Sequence, residues 1–262
     1  MKILIINGSY RRDGNTQRIL ELFKEEYLFT SKQQKDDVQF ETIFLAHENI
    51  QFCKGCRICF DKGEDKCPLK DEVLAVKSKI DNSDAVVLAS PVYVEDVNGT
   101  MKNWIDRMAF NNHRPAFCGK PAILLITSGA NSSNHTLQTM SRAFTGWGGV
   151  VVAKGKFITG ALTARKDLNE HYAPKIKNLA VKLHKNLSSK KRGSPSLYSL
   201  IAFKVQQNYW KKTEKYNSYD YTYWKDKGWL ENSCNYYTKH TAGWIKTKSA
   251  GIFGKLISLF FV

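Results

Sequence analysis

The sequence predicts an α/β protein in which a doubly wound domain with a five-stranded parallel sheet precedes a helical, aromatic-rich and basic extension. Over the first 187 residues, apolar runs of strand length alternate with stretches of helical periodicity. Beyond residue 195, aromatic and basic residues become frequent. The hydrophobic content of 42% and the charged content of 24% are typical of a globular protein, and they exclude wholesale disorder and collagen-like structure.

Apolar runs predict the strands, and amphipathic stretches predict the helices. We expect strands at residues 2–6, 38–45, 84–89, 122–127 and 149–154. We expect helices at residues 15–29, 71–80, 98–110, 133–144 and 169–187. The runs DAVVLA and AILLIT are apolar throughout, as is typical of central strands in a parallel sheet. This alternation of five strands with five helices is the minimum for a doubly wound domain of the flavodoxin type.

A polar segment separates this domain from the extension. LSSKKRGSP, at residues 187–195, is basic and contains glycine and proline, which indicates a linker. We therefore expect a domain at residues 1–187, a linker at 188–195 and an extension at 196–262. Within the extension, residues 196–212 have the spacing of an amphipathic helix. The final apolar stretch, GIFGKLISLFFV, is too short to span a bilayer.

The positive charge is concentrated in the second half of the chain. Residues 1–150 contain 19 basic and 18 acidic residues, whereas residues 151–262 contain 21 basic and 6 acidic residues. Such an excess attracts a phosphate-bearing cofactor, an anionic membrane surface or nucleic acid, or it forms a solvated face. Because no nucleic-acid recognition motif is present, we expect no nucleic-acid partner. For the extension, packing against the body or a dimer mate and contact with an anionic membrane remain open.

The predicted compartment follows from hydropathy and the N-terminus. Mean hydropathy is −0.41, and no apolar run reaches the roughly 18 residues of a spanning helix. MKILIING predicts a first strand and lacks the cleavage site of a signal peptide. We expect a cytoplasmic protein, free or peripheral to the membrane, whose six cysteines are reduced.

The loop after the first strand has the composition of a phosphate site. NGSYRRDGNT leads from the strand into the first helix, where backbone N–H groups and the helix dipole favour an anion. Ser9 and Thr16 supply hydroxyls, Asn15 an amide and Arg11 a positive charge. The loop contains neither GxGxxG nor a P-loop lysine, so it predicts one monophosphate and no pyrophosphate. The alternative interpretation is an ordinary turn with an Asn or Thr cap.

Two further segments follow strands of the same predicted sheet edge. ASPVY at residues 89–93 offers a stiff turn and an aromatic face, and TSGAN at residues 127–131 offers backbone amides freed by small residues. Because the carboxyl ends of parallel strands meet at one edge, we expect all three segments to border one crevice.

At these residues the sequence resembles a known family. GSYRRDGNT followed by SPVYVEDVNGTMKNWIDR resembles the NADPH-dependent FMN reductases, over residues 1–185. The resemblance implies a flavodoxin-like fold, FMN as cofactor, NAD(P)H as electron donor, and a dimer or tetramer. The residues below carry these implied roles. Ser9, Arg11, Asn15 and Thr16 contact the phosphate, Pro91, Val92 and Tyr93 contact the ring, and Thr127, Ser128 and Gly129 flank the ring.

One segment departs from the family pattern. Residues 95–98 read EDVN, where small uncharged residues are commoner in the family. Ring access and substrate preference therefore follow less directly from the resemblance.

Four cysteines form the sharpest local pattern. Cys53, Cys56 and Cys59 have C-x-x-C-x-x-C spacing, and Cys67 follows directly before a proline. Four thiolates at such spacing suit an iron–sulfur cluster or a zinc ion, and the tight run is closer to ferredoxin-type spacing than to a zinc ribbon. The spacing also resembles iron–sulfur flavoproteins, a branch of the same family, which implies a [4Fe–4S] cluster. Free thiols or a redox pair remain alternatives.

These observations predict a function carried by a cofactor. No Ser–His–Asp arrangement emerges, so we expect no catalytic side chain beside the flavin. We expect electrons to pass from NAD(P)H through FMN to a small acceptor, such as a quinone or free flavin, or to a redox protein. The alternatives are an iron–sulfur flavoprotein that accepts electrons from ferredoxin, and a non-enzymatic redox-sensing or membrane-associated protein.

Overall fold

A parallel sheet organises the first part of the chain. The computed structural model describes residues 1–130, 134–160, 164–189, 194–216 and 218–260. Its strands are β1 (Lys2–Asn7), β2 (Gln39–Phe44), β3 (Ala85–Tyr93), β4 (Asp96–Val97), β5 (Pro121–Ser128) and β6 (Val150–Ile158). Five of them run parallel in the order β2-β1-β3-β5-β6, and β4 pairs antiparallel with β3. The predicted doubly wound, flavodoxin-like sheet is therefore confirmed.

Helices cover both faces of the sheet. They are α1 (Asn15–Gln33), α2 (Ile58–Asp61), α3 (Val73–Asp81), α4 (Gly99–Arg107), α5 (Asn134–Gly146) and α6 (Arg165–Ser188). Side chains of α3, α4 and α5 fill one apolar layer, which contains the buried indoles of Trp104 and Trp147. Side chains of α1 and α6 fill the layer on the opposite face. The central strands are buried on both faces because each pleat contributes to one of these two layers.

Several predicted bounds differ from the structure. β3 and β6 each continue four residues beyond their predicted ends, and α6 begins four residues earlier than predicted. The predicted helix at 98–110 ends at Arg107, and a short 3₁₀ turn, Ala109–Asn112, follows it. Ser133 of the predicted helix at 133–144 lies outside the described residues, as do residues 190–193 of the predicted linker. The linker and the domain boundary at 187 therefore stay predictions.

The extension has an apolar cluster of its own. It contains α7 (Leu197–Lys212), α8 (Tyr219–Asp226) and α9 (Trp244–Ser258). The cluster is built from buried side chains of the extension: Leu200, Phe203, Trp210, Trp224, Trp229, Tyr236 and Ala250. The predicted helix at 196–212 and the helical character of the extension are confirmed. Among the helices in the described ranges, none is both long and apolar enough to cross a bilayer.

Candidate functional site

The loop between β1 and α1 leaves the start of the helix open. Gly14 is the N-cap residue of α1, with extended backbone angles and no side-chain cap. The alternative interpretation of an Asn or Thr cap is therefore wrong. Inside the loop, the Ser9 hydroxyl accepts a hydrogen bond from the Arg11 amide at 3.1 Å. The uncapped first turn directs N–H groups and the positive end of the helix dipole toward whatever lies at the loop, which suits an anion.

Asn15 and Thr16 connect the start of α1 to neighbouring strand ends. The Asn15 amide donates to Thr159 Oγ1 at 3.0 Å and to the Gly160 carbonyl at 2.7 Å. The buried Thr16 hydroxyl lies 2.7 Å from Thr127 Oγ1 at the end of β5. In such a pair one hydroxyl donates to the other, so the receiving hydroxyl keeps its own proton for a further acceptor.

The segment that was expected to be a turn after β3 is part of the strand. Pro91, Val92 and Tyr93 continue β3, and a two-residue turn leads back into β4. Both turn residues, Val94 and Glu95, have positive φ, at 47° and 67°. Positive φ at both central positions is the conformation of a tight type I′ hairpin, and it is strained for a β-branched residue. The hairpin carries the Tyr93 side chain, which is half exposed, along the cleft edge.

All ten residues predicted to hold a flavin line one cleft at this sheet edge. They are Ser9, Arg11, Asn15, Thr16, Pro91, Val92, Tyr93, Thr127, Ser128 and Gly129. The cleft has a volume of about 370 Å³, within the range of small-molecule and cofactor sites. It lies at the carboxyl ends of β1, β3 and β5, where the strand order reverses. The structure thus brings the predicted residues together, while their individual roles stay predictions.

Sequence reasoning missed one wall of the cleft. Arg18 of α1, and Thr159 and Gly160 after β6, also line it. The two residues after β6 were missed because β6 was predicted to end at Lys154, four residues short of its observed end. The apolar run does stop there, and Gly155 and Lys156 continue the strand against the apolar pattern.

The lining has the chemistry that a flavin mononucleotide requires. One end offers the open start of α1, the exposed Arg11 and two hydroxyls, which suit a phosphate. The other offers Pro91, Val92 and Tyr93 as a surface for a planar ring. The Ser128 hydroxyl is buried and has no hydrogen-bond partner among the described residues. Since buried hydroxyls in folded proteins normally have partners, a polar ligand edge beside Ser128 would meet this requirement.

The four clustered cysteines border a second cavity. Cys53, Cys56, Cys59 and Cys67 all line a cavity of about 100 Å³ beside α2, α3 and α4. Cys53 and Cys56 are exposed, whereas Cys59 and Cys67 are half-buried. Burial and the neighbouring Cys67, Cys53 and Cys56 raise the pKa of the Cys59 thiol. The four cysteines therefore border the same space.

The thiols are not arranged around a single ion. Within the described part of the chain, no three Cys, His, Asp or Glu side chains are placed to hold one metal ion. The zinc alternative thus has no preassembled site there, because tetrahedral zinc needs four ligands at about 2.0–2.3 Å. In a [4Fe–4S] cluster each thiolate binds a different iron, so the ligands surround a larger object. The four cysteines that border the cavity match the number and type of ligands in that donor set.

Two buried arginines, which sequence reasoning did not assign to a site, hold residues 51–67, which we call the cysteine segment. Arg107, at the end of α4, donates to Cys67 Sγ at 3.8 Å and to the Gln51 carbonyl at 2.8 Å. It also forms a two-pronged ion pair with the buried Asp71 carboxylate. Arg107 therefore ties both ends of the cysteine segment to α4. It binds the backbone carbonyl of Gln51 at one end and the thiol of Cys67 at the other.

Arg114 ties the same segment to the extension. It donates to the Cys59 carbonyl at 2.5 Å and to Glu64 Oε2 at 3.0 Å. Its other nitrogen pairs with Asp220 at the start of α8, and the guanidinium lies 4.9 Å from the centre of the Tyr219 ring. No spacing in the sequence links an arginine at 114 to an aspartate at 220, although DYTYWKDKGW stood out as the most distinctive stretch of the extension.

Comparisons with known proteins agree with this geometry. Residues 1–163 match the NADPH-dependent FMN reductase family. An iron–sulfur flavoprotein from Archaeoglobus fulgidus is 30% identical over 231 residues, covering 88% of this chain and 100% of that protein. An NADPH azoreductase from Bacillus sp. (strain OY1-2) is 23% identical, covering 72% of this chain and 93% of that protein. RosB, solved with bound 8-demethyl-8-formylriboflavin-5′-phosphate, shares the fold with a TM-score of 0.57 and 16% identity, over 72% of this chain and 79% of that one.

Proposed function

The chain belongs to the NADPH-dependent FMN reductase family and is an FMN-dependent oxidoreductase, and on that basis we propose that it transfers electrons from NAD(P)H to a small acceptor such as a quinone or free flavin. The observation that supports this most strongly is the convergence of three strand ends on one cleft with an uncapped helix start. When bound, FMN supplies the electron-transfer chemistry.

The chain's own residues bind and orient the cofactor. The side chains of Ser9, Arg11 and Thr16 hold the phosphate together with the backbone N–H groups at the start of α1, including that of Asn15, whose side-chain amide donates to Thr159 and Gly160. Pro91, Val92 and Tyr93 support the ring, and Thr127, Ser128 and Gly129 flank its polar edge. The half-exposed Tyr93 and the exposed hairpin turn leave the outer side of the cleft accessible to a second planar molecule.

Anaerobic kinetics test this function. The protein reconstituted with FMN is mixed with NADPH or NADH, and the flavin absorbance is followed before and after a quinone or free flavin is added. We expect the nicotinamide to bleach the flavin absorbance and the acceptor to restore it. If neither nicotinamide reduces the bound flavin, the proposed donor is wrong.

A second candidate is electron transfer from ferredoxin through an iron–sulfur cluster to FMN. The four cysteines that border one cavity favour it, and a relative that aligns over its whole length is an iron–sulfur flavoprotein. Cys53, Cys56, Cys59 and Cys67 would hold the cluster, with Arg107 against the last of them. Iron and acid-labile sulfide in anaerobically purified protein, together with flavin reduction by reduced ferredoxin, would support this candidate.

A cysteine variant separates the cluster from the flavin. Cys56→Ser should remove the iron, the sulfide and the broad visible absorption of a cluster while FMN stays bound, because the two sites use different loops. Cys234→Ser, in the extension and away from this cavity, is the control and should keep both cofactors. Wild-type protein that contains neither iron nor sulfide after anaerobic purification would contradict the cluster.

A further inference from the structure

Helix α9 packs on α7 through its smallest residues. Ala250, Gly254 and Ser258 recur every four positions, and all three are buried. A Cβ on Gly254 would lie 2.4 Å from the Lys204 Cβ of α7, so the two helices approach too closely for any larger residue there. The buried side of α9 is therefore lined by small residues, and its large apolar side chains lie elsewhere.

Those large side chains form an exposed ridge. Ile245, Ile252 and Leu256 are spaced seven and four residues apart, which places them on one side of the helix. Ile245 is 74% exposed and Ile252 is 63% exposed. Phe253 of the same helix is also exposed, as are Leu259 and Phe260 directly after it. We call these six residues the α9 ridge. A contiguous apolar surface of this kind marks an interaction site.

Positive charge accompanies the α9 ridge. Lys248 and Lys255 are spaced seven residues apart and flank Ile252, and both are exposed. From residue 232 to residue 262 the sequence contains four lysines and no acidic residue. A second copy laid on this face would bring lysines against lysines, with no carboxylate from either copy of this segment to pair with them. An anionic lipid surface matches both the apolar ridge and the lysines.

We propose that the α9 ridge binds the surface of an anionic phospholipid membrane. The helix lies parallel to the membrane plane, its apolar residues enter the boundary between headgroups and acyl chains, and Lys248 and Lys255 contact lipid phosphates. Trp244, at the start of α9, is 72% exposed and has the amphipathic ring typical of this boundary. The small residues toward α7 keep α9 attached to the body, so the whole protein is held at the membrane.

Vesicle sedimentation tests the proposal on the full chain. The vesicles contain phosphatidylcholine alone or phosphatidylcholine mixed with phosphatidylglycerol, at low and high salt. We expect binding that rises with the fraction of phosphatidylglycerol and falls with salt. Ile252→Ser with Leu256→Ser, and separately Lys248→Glu with Lys255→Glu, should each lower the partition coefficient by roughly tenfold or more. Both pairs are exposed, so these variants should fold as the parent does.

Matched controls lie on α6. Val181→Ser removes an exposed apolar side chain from the sheet domain, and Lys182→Glu with Lys185→Glu reverses two exposed charges there. We expect these variants to bind vesicles as the parent does. If Lys182→Glu with Lys185→Glu weakens binding as much as Lys248→Glu with Lys255→Glu does, attraction is a property of the net charge and the proposal is wrong. It is also wrong if Val181→Ser weakens binding as much as Ile252→Ser with Leu256→Ser does, because apolar contact is then not confined to the α9 ridge.

Tryptophan fluorescence gives a second readout. The chain has six tryptophans, and the five other than Trp244 are buried. Lipids with brominated acyl chains should therefore quench mainly Trp244, and Trp244→Phe should abolish most of that quenching. The proposal is overturned if the parent protein stays in the supernatant with anionic vesicles at low salt. It is also overturned if light scattering shows an oligomer that Ile252→Ser with Leu256→Ser dissociates, because a second copy then covers the ridge.

Discussion

Arg11 and Thr16 lie at opposite depths of the cleft. Arg11 is exposed at the mouth, whereas Thr16 is buried and bonded to Thr127. The double variant Arg11→Ala with Thr16→Ala should weaken FMN binding by at least roughly a hundredfold, since each hydrogen bond to a charged phosphate contributes about 1.5–3 kcal/mol. Fluorescence titration of apoprotein with FMN measures the change.

The neighbouring arginine is the matched control for that variant. Arg12 lies 5.7 Å from the centre of the Phe44 ring and does not line the cleft. Arg12→Ala should therefore leave the FMN affinity unchanged. Equal affinity of the double variant and the parent would place the phosphate outside this loop.

Asp71, which forms an ion pair with Arg107 beside the cysteine segment, makes the free energy of unfolding depend on pH. Burial raises the pKa of its carboxyl, but the hydrogen bonds from Arg107 and from the Gln51 and Val73 amides outweigh burial, and the pKa lies below its ordinary value. The ionised carboxylate thus stabilises the fold above the unfolded-state pKa of about 3.9. This stabilisation is lost as the pH falls through the lower folded-state pKa.

Asp71→Asn should lower the free energy of unfolding at pH 7 by about 3–5 kcal/mol, because it leaves Arg107 buried without its counter-ion. The variant should also lose less stability between pH 5 and pH 3 than the parent does, since its amide does not titrate. Urea denaturation over that range measures both effects. Asp106→Asn is the control, because Asp106 forms only an exposed pair with Lys102. An equal loss of stability in the two variants would contradict a special role for Asp71.

At the scale of elements, α8 stabilises the cysteine segment through Arg114, which binds both Asp220 and the Cys59 carbonyl. Asp220 at its start pairs with both Arg114 and His113, and Trp224 donates to the His113 carbonyl at 2.6 Å. Asp220→Ala should leave Glu64 as the remaining counter-ion of the buried Arg114. It should lower the free energy of unfolding by about 1.5–3 kcal/mol, because a charge-assisted hydrogen bond is lost, and it should loosen the segment that Arg114 holds.

Alkylation monitored by mass spectrometry measures that loosening. The half-buried Cys59 should react faster with a thiol reagent in Asp220→Ala than in the parent, whereas the exposed Cys53 should react at the same rate. Asp226→Ala, on the exposed side of the same helix, should change neither rate. Unchanged Cys59 reactivity in Asp220→Ala would show that α8 does not hold the segment.

The elements that the sequence predicts well are those with local patterns. Apolar runs such as AILLIT identify strands that are buried on both faces, and the spacing of apolar residues identifies α1 and α7, which are buried on one face. In both cases the residue type at a position follows from whether that position packs against an apolar layer. The β3–β4 hairpin was missed because its turn residues, Val94 and Glu95, are not those that positive φ favours. The far end of β6 was missed because Gly155 and Lys156 interrupt the apolar run before the buried Phe157.

In the candidate site, too, the sequence predicts some features and not others. Residues that follow strands could be placed at one crevice from topology alone, because parallel strands share a direction. Contacts between distant segments, such as Arg114 with Asp220 or Asn15 with Thr159, depend on how helices dock. No periodicity within either segment encodes such a pair.

At the scale of the whole molecule, the extension contacts the sheet domain at residues 112–118 and at α2 beside the cysteines. Among the described residues, those that line the flavin cleft all lie between positions 9 and 160. The extension has its own apolar cluster, to which the sheet domain adds the half-buried Cys118. This division favours separate tasks, with cofactor binding in the sheet domain and positioning of the cysteine segment in the extension.

Truncation after residue 189 tests that division. We expect the shortened chain to keep the circular dichroism of the sheet domain and an FMN affinity within about threefold of the parent, because no cleft residue is removed. The same truncation removes Asp220 and Tyr219 from Arg114, so the alkylation rate of Cys59 should rise at least as much as in Asp220→Ala. A shortened chain that folds but does not bind FMN would contradict a self-sufficient cleft. One that loses the dichroism of the sheet would show that residues 1–187 do not form an independent domain, and that the extension is part of a single folding unit.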